Sequence, residues 1–187
     1  MRIIGGAKKG FLLRNPHCAR IRPTSGMIRE AFFNMVPVHG LVFLDLFAGT
    51  GSVGLEALSR GAAKAVFVEK NRDLVRFLRA DLLRLGFAQQ GQALCADVKA
   101  GITQVSRMGL RCDYIFIDPP YEEGLIAKTV DLIAQGNIAA RDSWVVIQHS
   151  RREPVVFAEK DYSFGQQRVY GDSVLLFLKP VNQMERN

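Results

Sequence analysis

Asp118-Pro119-Pro120-Tyr121 brings together a carboxylate, a backbone carbonyl braced by two prolines and an aromatic face. Those are the groups needed to seize an exocyclic amine on a planar base. Such an amine is a poor nucleophile because its lone pair is delocalised into the ring. If the Asp118 carboxylate and the Pro119 carbonyl each accept one N–H, the nitrogen is drawn toward tetrahedral geometry and its lone pair can face an electrophile. Each proline holds its own φ at about −65° and restrains the residue before it, so the loop is ordered before the base arrives. Tyr121 can stack on an extruded base, a contact that contributes about 1–3 kcal/mol. The same four residues would also make an ordinary turn after the buried strand Tyr114-Ile115-Phe116-Ile117.

A second constellation separates these readings. D-L-F-A-G-T-G-S-V-G at 45–54 follows an apolar run and precedes a helical pattern, so its glycines lie where a ligand can approach the backbone. Gly49-Thr50-Gly51-Ser52-Val53-Gly54 matches G-x-G-x-x-G, and Glu69 stands at the distance where a carboxylate ends the second strand and accepts bonds from ribose hydroxyls. A dehydrogenase therefore stays open at this level. Against it stand Asp45 inside the strand and the lack of an evident hydride-transfer partner. In a βα sheet both loops sit at the carboxyl ends of their strands and face one cleft.

The elements that must position these loops alternate. Residues 42–46 form a buried strand, followed by a helix from about Ser52 to Arg60 that Gly61 stops. Residues 65–69 form the next strand, and Asn71 caps a helix whose Leu74, Leu78, Leu82 and Leu85 recur at helical spacing until Gly86. Weaker or shorter strands follow at 93–95, 113–117 and 143–147, with a helix near 124–135 before the last. Alternation of this kind means a parallel sheet. Tyr162–Tyr170 and 174–178, joined by Gly171-Asp172, are hairpin chemistry, so the sheet should end antiparallel. At the amino end, residues 2–6 and 11–13 flank a Gly and Lys turn, suggesting a small hairpin. Ser25 opens a helix with Met27, Ile28, Ala31, Phe32 and Met35 inward, ended by Pro37. The expectation is one domain over 1–187, a basic extension at 1–37 packed on a catalytic core at 38–187.

Composition supports a globular chain: 187 residues, 48% hydrophobic and 23% charged, are enough for one domain with a true core. No apolar stretch approaches the roughly 20 residues that span a bilayer, and no signal region opens the chain, so a cytoplasmic protein without a membrane partner is expected. Cys18, Cys95 and Cys112 are odd in number and lack C-x-x-C spacing, which suggests neither a disulfide framework nor a zinc site. His17, His39 and His149 have no partner at i+4, and no metal is expected. The net charge of +7 is concentrated: Arg2, Lys8, Lys9, Arg14, Arg20, Arg22 and Arg29 face the single acid Glu30 within the first 35 residues. Clustered cations attract phosphates regardless of sequence, so nucleic acid is the expected partner and these seven residues the expected contacts.

R-I-I-G-G at 2–6, R-P-T at 22–24, I-R-E-A-F-F-N at 28–34, L-D-L-F-A-G-T-G-S-V-G-L-E-A-L-S-R-G-A at 44–62, V-E-K-N at 68–71 and I-D-P-P-Y at 117–121 together resemble the bacterial RsmD-type methyltransferases. That resemblance covers nearly the whole chain. It implies a Rossmann-like class I methyltransferase fold, α/β, with a seven-stranded, mostly parallel sheet, an antiparallel C-terminal hairpin and a small N-terminal hairpin-helix extension. It also implies methyl transfer from S-adenosylmethionine to the exocyclic N2 of a guanine in small-subunit (16S) ribosomal RNA, within an assembled or assembling small subunit. On the matching positions, the loop Asp45–Gly51, including Ala48 and Gly49, would wrap the methionine part of the cofactor. Glu69 would hold its ribose, Asp97 would meet the adenine amine and Thr24 would border the methionine end. Asp118 and Pro119 would orient the base amine and Tyr121 would pack on the base. One departure is visible: similar proteins often carry a second basic residue after the hairpin glycine, where this chain has Phe11. Three other readings share parts of the pattern: a DNA adenine-N6 methyltransferase, a glutamine-side-chain methyltransferase, which would favour Asn at 118, and a non-catalytic RNA-binding assembly factor.

Overall fold

Strands rich in Val, Ile, Leu and Phe leave no polar face, so the sheet they build needs helices on both sides. The structure, a computed structural model, describes residues 1–14, 26–120 and 124–181. Strands β1 (Val42–Leu46), β2 (Lys64–Glu69), β3 (Gly91–Cys95), β4 (Cys112–Ile117) and β5 (Ala139–Ser150) run parallel. β6 (Tyr162–Tyr170) and β7 (Ser173–Pro180) return antiparallel, β7 against β5 and β6 against β7. The resulting order is β3-β2-β1-β4-β5-β7-β6. Chain direction therefore reverses outward from β1 and β4, and that switch point is where ligands bind in open α/β sheets.

Helices α1 (Gly26–Met35), α2 (Ser52–Ser59) and α3 (Arg72–Leu85) cover one face through Phe32, Leu55 and Leu78, against Phe43, Phe67 and Phe116. Helices α4 (Val98–Arg107) and α5 (Leu125–Gly136) cover the other through Ile102, Val130 and Ile133, against Leu44, Val66 and Ile115. α3 has both expected ends. The Asn71 side chain accepts from the Asp73 and Leu74 amides, and Gly86 closes the helix in the left-handed region at φ 76°. α4 goes beyond the sequence expectation: Val98, Ile102 and Val105 fall at i, i+4 and i+7 on one face, and Asp97 caps it. β5 runs to Ser150, well past the expected 147, because β7 pairs with it through that residue. On α1 the inward face is Ile28, Phe32 and Phe33, while Met27 is 64% exposed. Met27 was expected inward, but one residue before Ile28 it is rotated about 100° away from the sheet. No helix among the described residues is long and apolar enough to cross a membrane.

Residues 1–14 are fastened to α2. Arg2 bridges Leu12, Ile3 and Leu13 are buried, and a single 3-10 turn at Gly6–Lys8 joins the two sides. Gly6 sits at φ 73°, and a Cβ there would lie 1.9 Å from the Ser59 carbonyl oxygen, so only glycine fits. The fully buried Glu56 holds the assembly. Its Oε2 accepts from the Ile4 amide at 2.8 Å, its Oε1 accepts from Arg60 Nε at 2.9 Å, and Arg29 Nε lies 3.7 Å from Oε2. Arg29 Nη2 in turn donates to the Arg2 carbonyl at 2.7 Å. Removing one partner of a buried ion pair leaves an uncompensated charge. Glu56→Ala should therefore destabilise the fold by about 3–5 kcal/mol in urea unfolding, whereas Glu159→Ala, at an exposed position, should change it by less than about 0.5 kcal/mol.

Candidate active site at the carboxyl edge of the sheet

β1 and β4 are neighbours, with Asp45 beside Phe116 and Leu46 beside Ile117, so the chain leaving each strand enters the same crevice. Its volume is about 1340 Å³. Pockets for one small molecule usually measure about 300–1,000 Å³, so a nucleoside-sized cofactor and a base fit together. The wall is built by Asp45 and the loop 47–50, by Glu69 after β2, by Asp97 after β3, by Asp118 and Pro119 after β4, and by Gln148 on β5.

The turn from β1 into α2 winds left-handed three times, at Phe47 (φ 62°), Gly49 (φ 57°) and Gly51 (φ 76°). For a non-glycine residue that conformation costs about 1–3 kcal/mol, and it is held here by the surrounding bonds. The Ala48 amide donates to the Val68 carbonyl at 3.0 Å, and the Gly51 amide to the Ala48 carbonyl at 2.7 Å. At Gly51 a Cβ would fall 2.3 Å from Leu78 Cδ1, so this glycine also lets α3 close over the loop. α2 has no side-chain cap at Gly51. Asp45 serves instead, its Oδ2 accepting from the Gly54 amide at 2.9 Å. Only 2% of Asp45 is exposed. Burial, with Asp118 and Glu69 nearby as like charges, lifts its carboxyl from 3.8 to about 7, against the opposing pull of the Gly54 amide.

Glu69 spans the crevice floor: Oε2 accepts from the Gly49 amide at 2.9 Å and Oε1 from the Asn71 amide at 2.8 Å. A carboxylate has about four lone-pair sites, so two remain for hydroxyl donors. Asp97 is exposed on the wall, its Oδ1 accepting from the Ala100 amide at 2.8 Å. Asp118 is half-buried and Pro119 buried, both facing the crevice. The structure thus gathers Asp45, Ala48, Gly49, Glu69, Asp97, Asp118 and Pro119 around one space, with Gly51 just behind the loop. Thr24, Tyr121, Arg20 and Arg22 lie outside the described residues.

The basic residues part company. Arg29 is 2% exposed and committed to Glu56, Met1 and the Arg2 carbonyl, so it does not offer its charge to a phosphate. That corrects the expectation for Arg29: a helix that packs on the sheet turns this position inward. Lys8 lies against Ser59 and the Phe87 ring, and Arg14 against Asp81, beside the C-terminal ends of α2 and α3. This is the amino edge of the sheet, a helix length of about 12 Å from the glycine loop. Arg2 and Lys9 are exposed. Nearer the crevice, Lys128 and Arg152 line its mouth. Neither was singled out in the sequence: Lys128 sits in an ordinary amphipathic helix and Arg152 beside Arg151 in an ordinary loop. Phe47 and Gln148 were equally silent, although Gln148 is a polar residue closing an apolar strand.

The sheet order, the glycine turn, the acid after β2 and the carboxylate-proline exit of β4 define a class I S-adenosylmethionine-dependent methyltransferase. Residues 1–179 match the family described as "Conserved hypothetical protein 95", and the chain belongs to that family, the RsmD family. It is 30% identical over 173 residues to "Putative rRNA methyltransferase YlbH" of Bacillus subtilis, covering 91% of this chain and 94% of that one. It is 31% identical over 173 residues to "Ribosomal RNA small subunit methyltransferase D" of Escherichia coli, covering 91% and 85%. The solved structure of "Putative methyltransferase yhhF" from Escherichia coli superposes with a TM-score of 0.85 at 26% identity, covering 98% and 99%.

The crevice suits S-adenosylmethionine on its own chemistry. Glu69 and Cys95 are register partners, so the acids after β2 and β3 stand side by side for a ribose and an adenine amine. Asp45, Glu69 and Asp118 are close enough to interact, an arrangement that favours a cationic sulfonium.

In the ligand-free protein the raised Asp45 carboxyl has a definite sign. The folded state keeps this proton up to about pH 7 whereas the unfolded chain releases it at about pH 3.8, so the group's contribution to stability falls as pH rises through that window. Asp45→Asn keeps an oxygen for Gly54 and removes the titration. The melting temperature of the variant should therefore decline less than that of the parent between about pH 4 and pH 8, and equal slopes would rule the raised value out.

Proposed function

We propose that this protein transfers a methyl group from S-adenosylmethionine to the exocyclic N2 of a guanine in small-subunit (16S) ribosomal RNA. The observation that carries the reading is the Asp118 carboxylate and the buried Pro119, facing the same crevice as the glycine turn of β1. The names of the Escherichia coli and Bacillus subtilis relatives, both ribosomal RNA methyltransferases, support the substrate class. Bound S-adenosylmethionine supplies a methyl group on a sulfonium, already an excellent leaving group.

The chain's task is then positioning. The turn 47–51 presents backbone to the methionine end, Glu69 accepts from the ribose hydroxyls, and Asp97 accepts from the adenine amine. Asp118 and the Pro119 carbonyl each accept one N–H of the guanine amine, and Tyr121 stacks on the base. Asp118 acts as acceptor and orienter, since displacement at a sulfonium asks for a correctly aimed lone pair more than for a strong base. The nitrogen, acidic once methylated, loses its proton toward the open mouth of the crevice. Phosphates are held by the cations Arg2, Lys8, Lys9, Arg14, Arg20 and Arg22, while backbone and shape contacts locate the RNA within an assembled or assembling small subunit. Such a substrate places the protein in the cytoplasm.

The test is incubation with methyl-labelled S-adenosylmethionine and, separately, unmodified small subunits, protein-free ribosomal RNA and duplex DNA. Label recovered as N2-methylguanosine from subunits is expected. Label as N6-methyladenine in DNA would overturn the substrate, and cofactor binding with no label anywhere would overturn the activity. Asp118→Ala should lower turnover by about 100- to 1,000-fold, as loss of a directed polar group does elsewhere, a far larger change than the modest fall in calorimetric cofactor affinity expected from losing one of the three acids.

A further inference from the structure

Among the described residues, Gln148 is the one side chain of the crevice wall that burial leaves with an unspent acceptor. It is 4% exposed, it lines the crevice, and its Oε1 has no hydrogen-bond partner among the described residues. A buried acceptor left without a donor destabilises the fold, so its retention calls for a ligand. Its place in the sheet says which one. β4 and β5 are in register with Phe116 beside Val146 and Ile117 beside Ile147. Continuing that register by one residue sets Asp118 beside Gln148, on adjacent strands about 4.8 Å apart. Side chains alternate along a strand, so Asp118 and Gln148 share the face of Phe116 and Val146, the face that α1 covers and on which Ile28 reaches the crevice. The amine acceptor and the unpaired Gln148 carbonyl are thus side by side.

We infer that Gln148 reads the Watson–Crick edge of the target guanine, accepting from N1–H and donating to O6 while Asp118 and Pro119 hold N2. The inference rests on the reading of the site as a guanine-N2 methyltransferase and adds to it the group that chooses the base. A carboxamide offers one acceptor and one donor, and rotation about its last bond exchanges them, so it matches the N1–H and O6 pair. An adenine whose N6 is placed at Asp118 presents N1, an acceptor, and then C2–H, which gives the amide one partner and leaves its carbonyl buried against carbon. Guanine satisfies both ends. A bidentate pairing of this kind discriminates bases by about 10- to 100-fold.

The experiment uses reconstituted small subunits carrying, at the mapped target nucleotide, either guanosine or 2-aminopurine riboside. The latter keeps the reactive 2-amine but has no N1–H and no O6. The parent protein should methylate guanosine with a kcat/KM about 10- to 100-fold above that for 2-aminopurine. Gln148→Met, of similar length but without hydrogen-bonding groups, should bring the two substrates within about threefold by slowing guanosine alone. Cofactor affinity and melting temperature report whether this variant is folded, and Gln148→Asn, which keeps the amide on a shorter stem, should retain part of the preference. A Gln148→Met protein that slows both substrates equally, or neither, overturns the inference and leaves the methyltransferase reading standing. A parent protein that labels no guanine removes both.

Discussion

The carboxylate of Asp45 is where strand, helix and crevice are joined. It sits one residue from the end of β1, buried, and gives its oxygen to the third amide of α2. A helix that begins at a glycine has no side chain with which to satisfy its first amides, so this one borrows a cap from the strand before it. The loop between them must then be short and tightly wound, hence the left-handed turns at Phe47, Gly49 and Gly51. Glu69 ties the far side of the same loop by its bond to the Gly49 amide. Fixing that turn fixes the backbone that a cofactor would lie against, and β4, hydrogen-bonded beside β1, fixes the distance from there to Asp118.

Charge is distributed with the same economy. Acids converge on the crevice, where the ligand expected to enter first is a cation, while many of the exposed bases stand on the opposite edge of the sheet, around the turn at Gly6–Lys8. The two fields do not cancel across a helix length. Inside the crevice Lys70, Lys99, Lys128 and Arg152 stand beside Asp45, Glu69, Asp97, Asp118 and Asp172, so the molecule's excess of +7 lies mostly outside it.

Much of this architecture was legible in the chain. α3 could be placed because Asn71, the leucine period and Gly86 all agree, and the β6–β7 hairpin because Gly171-Asp172 interrupts two β-rich runs. The juxtaposition of the glycine turn and Asp118 followed from strand alternation alone. What escaped depends on tertiary partners. An arginine on a helix looks like surface, and only its tertiary partners, Glu56 and the Arg2 carbonyl among them, account for an inward Arg29. Phe47 carries no local sign that its φ must be positive, and Gln148 is an unremarkable glutamine until its burial and the missing partner of Oε1 are seen. α4 rests on a shorter period than α3, Val98, Ile102 and Val105 behind the Asp97 cap, and that pattern was not read as a helix.

The bond from the Ile4 amide to Glu56 has a further consequence for how this sequence can drift. Arginines at 29 and 60 are side chains, and either could be exchanged over evolutionary time for another partner. The Ile4 donor belongs to the backbone and survives every substitution short of proline. Position 56 must therefore go on supplying an acceptor for it, so variation around this knot should be lopsided, free to explore the cations while the acid stays put.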